Sequence, residues 1–136
     1  MNASGYVPKT EWLVRDWHRA TLANGTLCIQ QCLGCGRYRH PPRRFCARCG
    51  SVEAAFVPVS GLGTVHAAAT SHRSLDPAWQ DRVPFTTLVV ELDEGPRVLA
   101  ATDGSPSPLA TGDRVVVRVE DCSEDFARLW ADTPED

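Results

Sequence analysis

Two short cysteine pairs constrain this chain more than any other feature: Cys32-Leu33-Gly34-Cys35 and Cys46-Ala47-Arg48-Cys49, with Gly36 and Gly50 directly behind them. Two residues inside each pair and ten between the pairs let four thiolates converge on one tetrahedral Zn²⁺. A glycine after each pair suits a tight knuckle, where backbone N–H groups turn in toward the sulfurs without a Cβ in the way. Four protein ligands leave no open position for water or substrate, so the spacing points to a structural metal.

The sequence has 136 residues, enough for a core that needs no covalent staples. Its apolar fraction of 43% and charged fraction of 23% are those of a soluble globular protein. No stretch approaches the roughly 18 apolar residues of a membrane span. The start, Met1 to Pro8, has neither the basic nor the apolar region of a signal peptide. The expectation is a cytoplasmic protein, in which six cysteines are metal ligands or free thiols rather than disulfides. Cys28 and Cys122 lie outside the pairs, in alternating patterns, and read as small apolar fillers.

Charge is unevenly spread. Residues 37–48 hold five arginines (Arg37, Arg39, Arg43, Arg44 and Arg48) and no acid, whereas residues 91–136 hold twelve acids against four arginines. A basic ribbon on an acidic remainder argues against a general nucleic-acid binder, whose whole binding face should be positive, yet leaves room for a local anion site.

From Glu11 to about Ala23, the residues Leu13, Trp17, Ala20 and Ala23 recur at three- or four-residue steps, which predicts a helix. Thr10 is its expected N-cap and Asn24-Gly25 its stop. Trp12 and Val14 widen the apolar face beyond what one small core requires. Thr26 to Gln31 is strand-like and leads into the first knuckle; Arg37-Tyr38-Arg39-His40 leads out of it, and Pro41-Pro42 breaks regular structure before the second. This is the hairpin arrangement of a rubredoxin-like zinc ribbon.

After Gly50 the pattern changes, beginning with Glu53 to Val59. Strands are expected at Gly63 to His72, Phe85 to Leu92, Arg97 to Thr102, Arg114 to Val119 and Phe126 to Trp130. Leu88, Val90 and Leu92 share one face, and Val115, Val117 and Val119 lie opposite Arg114, Arg118 and Glu120. Asp93-Glu94-Gly95-Pro96 reads as a hairpin turn and Ser105 to Asp113 as a loop. Five such strands without room for a large helix predict a small closed barrel, with the OB-fold as the natural candidate. The expected fold class is therefore mainly β: an N-terminal tail and helix over 1–25, a zinc ribbon over 26–52 and a five-stranded OB-fold barrel over 53–136.

The ordered series from the helix through Cys32-x-x-Cys35-Gly36, Pro41-Pro42-Arg43, Cys46-x-x-Cys49-Gly50-Ser51, Val59-Ser60-Gly61-x-Gly63-Thr64-Val65 and Leu92-Asp93-Glu94-Gly95 resembles the zinc-ribbon/OB-fold proteins associated with acyl-CoA enzymes. The resemblance runs from about residue 12 to the end of the chain. That family, long a domain of unknown function, resembles the small subunits of thiolase-like enzymes, among them acyltransferases, ketothiolases and the retro-aldolases of steroid side-chain breakdown. Some members are fused to a hydratase of the hot-dog fold. The resemblance implies a structural zinc on Cys32, Cys35, Cys46 and Cys49, and a thiolase-like partner that acts on acyl-CoA.

Three readings compete. Independent catalysis finds no support in His18, His40, His66 or His72, none of which sits in a nucleophile or metal-hydrolase signature. A nucleic-acid-binding OB-fold would need stacking aromatics, but Phe85, Phe126 and Trp130 are spaced as core or edge residues. The favoured reading is a non-catalytic accessory subunit, with a stand-alone acyl-CoA-binding protein as a further alternative. On that reading Arg43 and Arg44, beside the Pro-Pro turn, are the candidate contacts for CoA phosphates. Trp12, Leu13, Trp17, Pro41 and Pro42 are the candidate anchors for the partner.

Overall fold

The computed structural model describes residues 7–103 and 108–134. Most of the expected tail (1–6) and residues 104–107 of the expected Ser105–Asp113 loop lie outside the described residues. Helix α1 spans Trp12–Asn24. Its inward face is Trp17, His18 and Thr21, while Ala23 is exposed. Two polar residues are tolerated inside because each is bonded: His18 Nδ1 accepts the Ala127 N–H at 3.0 Å, and Thr21 Oγ1 accepts the Cys28 N–H at 3.3 Å. Gly25 stops the helix as expected, with φ of 69° and its N–H on the Thr21 and Leu22 carbonyls. The expected N-cap is not formed. Thr10 instead donates its hydroxyl to the Asp125 carbonyl at 2.8 Å, and so ties the chain ahead of the helix to the barrel.

The ribbon is a three-stranded sheet of β1 (Cys28–Cys32), β2 (Tyr38–Arg39) and β3 (Ala54–Pro58) in the order β2-β1-β3. β3 pairs antiparallel with the whole of β1, from Cys28 opposite Pro58 to Cys32 opposite Ala54. The segment Glu53 to Val59, placed with the barrel in the sequence reading, therefore completes the ribbon sheet.

The barrel is closed in the order β4-β5-β6-β8-β7, from β4 (Leu62–Ser71), β5 (Phe85–Leu92), β6 (Arg97–Ala101), β7 (Arg114–Ser123) and β8 (Phe126–Asp132). These are the five expected strands, with β7 and β8 running further than expected. Closure is made by antiparallel pairs except at β6 and β8, which run parallel where Ala101 meets Trp130. Gly63 is required where β4 crosses β5: a Cβ there would stand 2.5 Å from the Glu91 carbonyl oxygen. The connection from β4 to β5 carries a short helix, α2 (Pro77–Gln80), that the periodicity did not reveal. Asp76 caps it by accepting the Ala78 N–H at 2.9 Å, and Asp76-Pro77 is the signal that marks such a start.

One hydrophobic cluster runs through all three parts. Trp17 from α1 and Leu27 and Ile29 from the ribbon join Val65, Leu88, Val90, Val98, Val115 and Val117 of the barrel. Ribbon, helix and barrel thus share a core, and a loss of shape in one is felt by the others.

Candidate metal centre and the surfaces around it

Cys32 ends β1, and the other three cysteines follow on the two knuckles. Their four sulfurs all lie within 4.8 Å of one another, with Cys32 and Cys49 at 3.5 Å and Cys35 and Cys46 at 3.7 Å. Zn–S bonds of about 2.3 Å in a tetrahedron place sulfurs about 3.8 Å apart, so the donor set fits one such ion. The Cys35 N–H aimed at the Cys32 sulfur draws that thiol down to about 6. Cys46 is lowered in the same way by the Cys49 and Arg48 N–H groups. At Cys49 the Ser51 N–H also pulls down, but the Cys32, Cys46 and Cys35 sulfurs and burial push it up to about 11. Four thiolates repel one another in this space; a divalent cation removes that conflict.

Gly36 and Gly50 stand at φ of 79° and 78°, with their N–H groups on the Cys32 and Cys46 carbonyls at 2.9 Å. A Cβ on either would meet nothing within 4 Å. The left-handed backbone therefore selects glycine there, not the crowding that the sequence reading supposed. The crowded position is Gly34, whose Cβ would come 2.9 Å from Ser51 Cβ and 3.3 Å from Cys49 Sγ.

The two candidate arginines share one groove, and only Arg43 also reaches another. Arg43 lines a cleft of about 640 Å³ with Arg37, Arg39 and Arg48, closed on its far side by Glu94-Gly95-Pro96 of the barrel. Arg39 donates Nη2 to the Arg43 carbonyl at 2.9 Å, while its Nε and Nη1 are buried without a partner among the described residues. Gln30, which sequence gave no reason to single out, fixes this loop from β1: its amide donates to the Arg43 carbonyl at 3.0 Å and accepts the Arg43 N–H at 2.7 Å. Arg44 lies in a second groove, of about 440 Å³, which Arg43 also lines, with Leu13, Phe45, Val52 and Phe56. Its guanidinium stands 5.6 Å from the centre of the Trp12 ring.

The candidate anchors also divide. Trp12 is 69% exposed, and Phe45 at 62% and Val52 at 67% are exposed as well. Pro41 is exposed and Pro42 and Leu13 are half-buried. Trp17 is a correction. It is only 6% exposed, and its Nε1 donates to the Cys28 carbonyl at 2.6 Å, so it is a core residue that docks α1 on the ribbon. Phe45 and Val52 join Trp12 on the surface, and only their exposure identifies them, because each stands alone in a loop.

His18 and His40 flank Trp17, their rings 4.6 and 4.8 Å from it. Burial lowers both; His40, with His18 as a further cause, falls from 6.5 to about 4. The neutral rings are the folded form. Because the folded value lies below 6.5, this stabilisation is complete above pH 6.5 and is lost as pH falls toward 4. For His40 the loss reaches roughly 3 kcal/mol at most. The melting temperature is expected to decline from pH 6.5 to 4.5, and His40→Phe to flatten part of that decline; identical profiles would contradict the assignment. His66 and His72 are exposed. Cys28 is fully buried as a filler, and Cys122 approaches Glu120 at 3.4 Å.

This ribbon and barrel have known counterparts. Residues 19–53 match the family described as "ChsH2, rubredoxin-like zinc ribbon domain", and residues 56–120 match "ChsH2, C-terminal OB-fold domain". A DUF35 domain-containing scaffold protein of Methanothermobacter thermautotrophicus is 32% identical over 106 residues, which are 75% of this chain and 77% of that one. The chain belongs to the ChsH2/DUF35 family. A second relative, a probable enoyl-CoA hydratase alpha subunit of Thermomonospora curvata, is 35% identical over 92 residues. The match covers 67% of this chain but spans only 28% of that relative's length. Among solved structures, the Ltp2-ChsH2(DUF35) aldolase superposes with a TM-score of 0.79 at 28% identity, covering 92% of this chain and 97% of the matched one. A DUF35 protein of Sulfolobus solfataricus shares the fold, with a TM-score of 0.55 at 15% identity over 86% of this chain and 84% of that one. No helix among the described residues is long and apolar enough to cross a membrane.

Proposed function

We propose that this chain is a non-catalytic accessory subunit of an acyl-CoA enzyme complex, with a thiolase-like partner that makes or cleaves a C–C bond. The observation that carries this reading is its likeness, over 92% of its length, to a chain of the Ltp2-ChsH2(DUF35) aldolase. The relative named as a hydratase subunit supports a place beside a hydratase as well, of the hot-dog fold that the family resemblance suggests. In this account zinc on Cys32, Cys35, Cys46 and Cys49 holds the ribbon rigid. The ribbon presents Trp12, Leu13, Pro41 and Pro42 to the partner, with Phe45 and Val52 enlarging that surface. The arginine cleft steers the phosphates of acyl-CoA toward the partner's active site.

Arg43 lines this cleft and Arg44 does not, which sharpens the test. In the assembled complex, Arg43→Glu combined with Arg48→Glu is expected to raise KM for acyl-CoA about tenfold or more at low salt, with kcat little changed. Arg44→Glu is expected to weaken assembly instead. An unchanged KM in the double variant would remove the steering role, and leave the scaffold role to be judged by assembly alone.

A further inference from the structure

β3 lies at the edge of the ribbon sheet, paired with β1 on one side and with no described strand on the other. Two hydrogen bonds at the ends of the β1–β3 ladder decide which main-chain groups face outward. The Leu33 N–H bonds the Glu53 carbonyl at one end, and the Val59 N–H bonds the Leu27 carbonyl at the other. Hydrogen-bonded pairs alternate along an antiparallel ladder, so between these ends it is Ala55 and Val57 that bond to β1. Ala54 and Phe56 therefore turn their N–H and C=O groups away from the sheet. Pro58, which has no N–H, falls in the same outward set, where a sheet edge tolerates it.

This open edge borders the groove shared by Arg43 and Arg44. Ala54, Ala55 and Phe56 all line it. Successive side chains of a strand point to opposite faces, so three consecutive residues on one groove mean that it meets β3 at its edge. Leu13, Phe45 and Val52 supply apolar walls. No acid lines the groove, and neither arginine forms an ion pair with a described residue. Arg44 is exposed over the Trp12 ring, and its N–H groups bond no described residue. A second copy of this chain docked here would bring like charges together, whereas an acidic segment would complement them.

The geometry points to strand addition: an extended segment of the partner subunit, apolar at alternate positions and bearing a carboxylate, lies along β3. It bonds the main chain of Ala54 and Phe56 and sets its carboxylate against Arg44. Main-chain bonds supply affinity, while the apolar walls and the arginine supply register and selectivity. This rests on the accessory-subunit reading and adds to it how the partner is held.

The test uses the complex with a co-expressed thiolase-like enzyme, followed by light scattering and amide-resolved hydrogen exchange. The Ala54 and Phe56 amides are expected to exchange freely in the isolated chain and at least tenfold more slowly in the complex. Ala54→Pro removes one outward donor and should weaken assembly about tenfold with zinc content unchanged; where that variant loses zinc, the exchange rates decide. Arg44→Glu should weaken assembly tenfold or more, and Arg44→Gln by less. A complex that forms with both amides still exchanging freely would overturn strand addition and leave the accessory reading standing. Absence of any complex would remove that reading and this proposal together. Slow exchange in a self-associated isolated chain would assign the edge to a second copy and overturn the proposal. Arg44→Glu assembling as tightly as the native chain would do the same for the acidic segment.

Discussion

Replacing Cys32 with serine is expected to release the metal and unfold the ribbon, with a loss in melting temperature of about 10 °C or more. Cys32 is the best-buried of the four clustered cysteines, at 1% exposure, and it also ends the central strand of the ribbon sheet. The loss cannot stay local. Leu27 and Ile29, on the same stretch of chain, belong to the cluster that fills the barrel. Elemental analysis should fall from one zinc per chain to less than a tenth, and near-ultraviolet circular dichroism should lose part of its aromatic signal. A variant that keeps one zinc and its melting temperature would show that the sulfurs do not hold the ion.

Trp17→Ala is the second large effect, expected at about 3–5 kcal/mol of destabilisation in urea. Its ring fills the junction of helix, ribbon and barrel, touches both His18 and His40, and bonds the Cys28 carbonyl. Trp12→Ala should change stability by less than about 0.5 kcal/mol, since that ring is mostly in solvent beside Arg44. In the complex the order reverses: Trp12→Ala should weaken assembly by about 1–2 kcal/mol. Equal stability losses for the two variants would contradict the division between a core Trp17 and a surface Trp12.

The contrast between these tryptophans shows where sequence is informative and where it stops. The cysteine spacing, the existence and stop of the helix and the alternation of β5 and β7 are local signals that the structure follows, whereas the buried face of the helix is Trp17, His18 and Thr21 and keeps only Trp17 of the expected stripe. The family resemblance added the order of ribbon and barrel. What was not legible depends on contacts between distant segments. β3 looks like any short apolar strand, and only its pairing with β1 assigns it to the ribbon. Arg43 and Arg44 are adjacent in sequence and line one groove together, yet only Arg43 also reaches the cleft beside Glu94, while Arg44 stands over the Trp12 ring. His18 and His40 carried no motif, and their meeting on Trp17 is a product of docking the helix on the ribbon. Gln30 reads as an ordinary polar strand residue until its two hydrogen bonds to Arg43 are seen.

The central claim is that this chain supports the chemistry of another subunit. Co-expression with a thiolase-like enzyme from the same source, followed by light scattering and assay of acyl-CoA C–C bond cleavage, tests it most directly. The account predicts a stoichiometric complex whose activity needs both chains, and an isolated chain with no turnover. Full activity of the enzyme without this chain, or turnover of acyl-CoA by this chain alone, would contradict it.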